Sequence, residues 1–69
     1  MTDAEIEKLR VFLAKRINPS VELRRRGKQT DSVEVYADEE FLGILFKDDE
    51  DPKDISYNLD VAILAIDLE

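Results

Sequence analysis

The hardest constraint on the fold is the longest apolar run in the chain, Ile55-Ser56-Tyr57-Asn58-Leu59-Asp60-Val61-Ala62-Ile63-Leu64-Ala65-Ile66-Asp67-Leu68-Glu69. At period two, Ile55, Tyr57, Leu59, Val61, Ile63 and Ala65 share one face, and Ser56, Asn58 and Asp60 share the other, the pattern of a half-buried strand. From Ala62 onward the polar face turns apolar as well, because Ala62, Leu64, Ile66 and Leu68 continue its parity. Something must cover that second face. A straight strand from Ile55 to Leu68 would reach about 45 Å at roughly 3.3 Å per residue. A chain of this size has a radius of gyration of about 11 Å. The run must therefore bend or project from its own domain into a partner.

Three arrangements meet this demand. A bulge near Val61-Ala62 hands Leu59 and Val61 over to Leu64 and Ile66 on one core side. The second half is sandwiched between the domain's own helix and another subunit. Or Asp60 caps a helix whose inward stripe is Ala62, Ile63 and Ile66. The β-branched and aromatic residues Ile55, Tyr57, Val61, Ile63 and Ile66 favour the strand.

Residues 1–69 form a single domain, and one this small buries only about 60% of the surface its unfolded chain exposes. The chain has neither Cys nor His. Disulfides, thiolate metal sites and the commonest transition-metal ligand are thereby excluded, and oligomerisation is the remaining way to add stability. The opening residues Met1-Thr2-Asp3-Ala4-Glu5 lack the basic region and apolar core of a signal peptide. No apolar run approaches the ~20 residues of a membrane span, so a cytoplasmic location away from the membrane is expected.

The net charge of −7 is unevenly distributed. Residues 1–28 hold eight basic against four acidic side chains, a balance of +4, whereas residues 29–69 hold two against thirteen, a balance of −11. Such polarity keeps a small protein soluble and steers its association with itself or with a charged partner.

Thr2-Asp3-Ala4-Glu5 has the form of a capping box and predicts a helix start. Ile6, Leu9, Leu13 and Ile17 recur at helical spacing with Phe12 beside them, giving a core stripe. Asn18-Pro19 ends the helix. Val21 and Leu23 alternate with Glu22, Arg24 and Arg26 in a first strand, and Gly27-Lys28-Gln29-Thr30-Asp31 is a turn. Ser32–Tyr36 is a second strand, with Val33 and Val35 inward. Ala37-Asp38-Glu39-Glu40 turns again into a third strand, Phe41–Phe46, apolar on both faces. Gly43 within it marks a bulge or a close backbone approach. Residues 47–54 form an acidic loop. The expected architecture is α+β, one N-terminal helix on a four-stranded antiparallel meander (α-β-β-β-β). A helical last element gives α-β-β-β-α instead, the order of a double-stranded-RNA-binding domain.

Candidate sites are few. Arg24, Arg25, Arg26 and Lys28 are a possible anion-binding cluster. They sit on a molecule whose remainder carries −11, so nucleic acid is not the expected partner, and a charge-blunted strand edge explains them as well. The acidic loop fails as a calcium loop of the EF-hand kind. Counted from Asp48, position 5 is Pro52, position 6 is Lys53 and position 12 is Leu59. The serines and threonines have no histidine to act as base, and two glycines do not make a phosphate-cradling loop. No catalytic residue, metal site or cofactor is expected.

The strings Asp31-Ser32-Val33-Glu34-Val35-Tyr36, Glu40-Phe41-Leu42-Gly43, Ser56-Tyr57-Asn58, Ala62-Ile63-Leu64 and Ile66-Asp67-Leu68 give the chain, over nearly its whole length, a resemblance to a small uncharacterised bacterial family of single-domain proteins. That resemblance implies a fold and carries over no catalytic or binding residue. The expected function is that of a non-enzymatic module that self-associates as a homodimer and acts through protein contacts, with Ala62, Leu64, Ile66 and Leu68 at the interface. The alternative is weak nucleic-acid or anionic-ligand binding through the basic hairpin.

Overall fold

A computed structural model describes residues 1–61 and 63–68, including their side chains except those of Gln29 and Asp67. Helix α1 spans Asp3–Arg16 and is opened by the expected capping box: Thr2 Oγ1 accepts from the Glu5 amide at 3.1 Å, and Glu5 Oε1 accepts from the Thr2 amide at 3.0 Å. Asp3 and Glu5 in the first turn and Lys15 and Arg16 in the last suit the helix dipole. The helix ends ahead of Asn18, whose Oδ1 accepts from the Ser20 amide at 2.8 Å and starts the chain towards the sheet.

Strands β1 (Glu22–Arg26), β2 (Gln29–Ala37), β3 (Glu40–Asp48) and β4 (Ser56–Val61) form one antiparallel sheet in the order β1-β2-β3-β4. This is the α-β-β-β-β meander. Both hairpin turns are tighter than the polar composition suggested, because Gln29 pairs with Arg26 and Ala37 with Glu40, leaving only two-residue loops, while Thr30 and Asp31 belong to β2 within the register shift that separates the pair Arg26 and Gln29 from the pair Arg25 and Val33. Gly27 takes φ of 49° in the first. In the second, Asp38 and Glu39 both have positive φ, 52° and 68°, as a turn matched to the strands' right-handed twist demands.

Gly43 serves both purposes expected of it. Val35 opposes Gly43 while Tyr36 opposes Phe41, so Leu42 is an extra residue, a bulge. Leu42 then packs on the core while Phe41 meets Tyr36 on the other face, ring centroids 5.6 Å apart. A Cβ on Gly43 would overlap the Asp60 carbonyl oxygen of β4.

Leu13, Val21, Val33, Val35 and Leu45 form the buried core, with Met1, Ile6, Leu9, Ala14, Leu23, Leu42 and Leu59 packed around it. Ile17 and Phe12, expected with the helix's apolar stripe, are instead each 53% exposed. The backbone of α1 approaches β1 most closely among the strands, so the β3–β4 half of the sheet is only partly covered.

The C-terminal run departs most from its simplest reading. Strand β4 stops at Val61, opposite Gly43, and Ala65–Leu68 form a 3-10 turn. Asp60 lies inside β4, paired with Ile44, and does not cap a helix. Leu64, Ile66 and Leu68 are therefore not one face of a long strand, and Ala62, expected with them, lies outside the described residues. The radius of gyration is 12.7 Å and the long axis 43 Å, above the about 11 Å of a compact chain this long.

Candidate functional site

Because α1 lies towards β1, the helix and the far half of the sheet enclose an open apolar groove of about 460 Å³. One wall is Leu9, Phe12, Leu13 and Ile17 of the helix side, and the floor is Leu45 of β3 with Tyr57 and Leu59 of β4. The groove follows from two local facts. Alternation in β4 turns Tyr57 and Leu59 to the helix side, in register with Lys47 and Leu45. Helical spacing then places Leu9, Phe12 and Leu13 above them.

One end of the groove is polar. Tyr57 O–H donates to Glu5 Oε2 at 2.7 Å, and Lys47 Nζ lies 2.6 Å from the same oxygen. The lysine, the Thr2 amide and the tyrosine hydroxyl together hold the Glu5 carboxyl down at about 2, well below its ordinary 4.5. Lys47 is raised in turn, chiefly by its hydrogen bond to Glu5, and Tyr57 is raised by donating to that carboxylate. At the other end the Arg16 guanidinium sits 5.0 Å from the Phe12 ring centroid.

Residues 63–68 lie beyond the last paired position of β4 and display Ile63, Leu64, Ile66 and Leu68 at 71%, 59%, 70% and 78% exposure. These are large apolar side chains exposed within six residues of one another.

The basic hairpin does not converge on one point. Arg24 pairs with Glu22, Nε to Oε1 at 3.1 Å, and its guanidinium lies 3.9 Å from the Tyr36 ring centroid on the outer face of the sheet. Arg26, on the same face, donates to Ser32 Oγ at 3.1 Å. Arg25 turns to the helix side, where it pairs with Asp3 and donates to the Met1 carbonyl at 3.1 Å. Lys28 is exposed in the turn. In the acidic loop, Asp48 and Asp51 accept from the amides of Glu50 and Lys53 at 3.3 and 2.9 Å, a pair of local turns. Among the described residues no group of three or more acidic side chains could hold a metal ion, and no described helix is long and apolar enough to cross a membrane.

Sequence reasoning missed the groove and the Glu5–Lys47–Tyr57 cluster. The parity of Tyr57 gave half the signal. The other half, how far the helix is displaced towards β1, has no local signature.

A helix on one face of a four-stranded antiparallel meander, with an apolar groove left open along its edge, defines a small two-layer α+β domain. The chain belongs to the family described as protein of unknown function (DUF3126), which it matches over residues 5–67, from the first turn of α1 into the 3-10 turn. No curated protein and no solved structure matches it.

Proposed function

We propose that this protein is a non-enzymatic module that self-associates, as a homodimer, and works through protein contacts. The observation that carries the reading is the cluster of exposed apolar side chains at Ile63, Ile66 and Leu68, each more than two-thirds accessible. A core made, among the described residues, of Leu13, Val21, Val33, Val35 and Leu45 leaves little interior of its own in which to put them. The lack of His and Cys supports a binding rather than a catalytic role, and the cytoplasmic location expected from the sequence belongs to the same proposal. Ile66 is exposed, so Ile66→Asp should leave the thermal transition of the isolated domain in place while halving the mass seen by light scattering. An Ile66→Asp protein with the wild-type mass would count against the reading.

One observation favours a second role, anionic-ligand or single-stranded nucleic-acid binding. The outer sheet face carries Tyr36, Phe41 and Phe46 beside Arg24 and Arg26, an arrangement on which bases stack. This reading requires RNA binding that weakens steeply with salt and is lost in the Arg24→Ala, Arg26→Ala double variant. No binding at low salt ends it.

A further inference from the structure

We infer that the groove between α1 and β3–β4 is the acceptor for residues 63–68 of a second copy, each protomer giving its segment and receiving its partner's. The inference rests on the self-association reading and specifies its mode.

Direction comes first. Glu5, at the start of α1, touches Tyr57 at the start of β4. Asn18, just past the helix, donates to Asp38 Oδ2 at 3.0 Å in the β2–β3 turn, close to where Val61 pairs with Gly43. Helix and strand therefore run the same way along the groove, and the chain leaves β4 at the Ile17 end. The segment emerges past the mouth of its own groove with Ile63, Ile66 and Leu68 exposed, positioned to enter an identical groove on a molecule facing it across a two-fold axis.

Size agrees with direction. The helical wall from Leu9 to Ile17 is about 12 Å long at 1.5 Å per residue. A six-residue segment ending in a 3-10 turn spans roughly the same at about 2 Å per residue.

Charge agrees as well. The sequence from Asp54 to Glu69 has no Lys or Arg and includes Asp67 and Glu69, whereas α1 carries Lys8, Lys15 and Arg16, the last lying over Phe12 at the groove wall. An apolar segment without a basic side chain meeting an apolar groove that carries Arg16 at its Ile17 end is complementary in both respects, and this directs it to a second copy of the same chain.

The absence of cysteine makes the contact directly testable. Phe12→Cys and Ile66→Cys alter exposed positions and should fold as the parent does. The mass of each variant is measured first, then the two are mixed in equal amounts and treated with a short bismaleimide. The expected product is the 12–66 heterodimer, in several-fold excess over 66–66 and 12–12 species. Dimers that cross-link only 66–66 overturn the groove as acceptor while leaving self-association standing. So does a Phe12→Cys, Ile66→Cys double variant that cross-links within one chain at high dilution. Variants and parent that are all monomeric overturn both.

Discussion

Lys47 Nζ lies 2.6 Å from Glu5 Oε2, joining the end of β3 to the first turn of α1 across 42 positions of sequence. Neither side chain is more than about one-fifth exposed, and Tyr57 of β4 donates to the same carboxylate oxygen. The helix is thus tied to the strands from which its backbone stands away, and this tie closes the polar end of the groove.

The tie should be visible in the pH dependence of folding. Glu5 titrates at about 2 in the folded protein and near 4.5 when freed from its partners. A lowered carboxylate contributes stability that is complete above the unfolded value and lost as pH falls towards the folded one. The midpoint of urea unfolding should therefore drop between pH 4.5 and about 2, and Glu5→Gln should flatten that portion of the curve. Equal slopes for the two proteins would show that Glu5 does not carry it.

Gly43→Ala should destabilise the fold by about 3 kcal/mol, because the new methyl group meets the rigid Asp60 carbonyl and β4 must move away. Chemical denaturation gives the value directly. Since β4 is the floor of the groove, the same change should weaken self-association, measured by its dissociation constant. A variant as stable as the parent would mean that β4 yields without cost.

Glu39 holds φ of 68°, a region that costs a side-chain-bearing residue energy that glycine does not spend. Its neighbour Asp38 tolerates positive φ with help: its amide donates to Ser20 Oγ at 3.1 Å, and its carboxylate accepts from Asn18. Glu39→Gly, which creates the favoured Asp-Gly turn, should stabilise by about 0.5–1 kcal/mol after the entropy of the unfolded chain is counted, and raise Tm by roughly 4 °C. A lowered Tm would show that the Glu39 side chain contributes more than its backbone costs.

Much of the fold was legible in the sequence because its signals are local. The Thr2/Glu5 capping box, the alternation of Val33 and Val35 and the break at Asn18-Pro19 each act within one or two turns of chain, and each is present as expected. Gly43 was legible as a contact because a glycine inside an apolar strand has few other uses. Gln29, Thr30 and Asp31 looked like a turn because they are polar, yet all three belong to β2, and an extended backbone at a strand's end does not require apolar side chains. Ile17 and Phe12 fit the helical stripe but stand off from β3 and β4 across the open groove, which depends on the placement of the whole helix. The C-terminal run has a strand's composition throughout, and the end of β4 at Val61 has its counterpart on the neighbouring strand, where the bulge at Leu42 adjoins Gly43, the partner of Val61.

The basic hairpin shows the limit of reading charge from a string. Arg24, Arg25 and Arg26 are adjacent in sequence, but a strand alternates its faces, so Arg25 is drawn to Asp3 on the helix side while Arg24 and Arg26 remain on the outer face.

Sedimentation equilibrium of the unaltered protein, over a wide concentration range and at low and moderate salt, bears most directly on the proposed role. Reciprocal seating of residues 63–68 requires a species of twice the 8.0 kDa chain mass, persisting at moderate salt because its contact is mainly apolar. A single 8.0 kDa species at every concentration and both salts would contradict it.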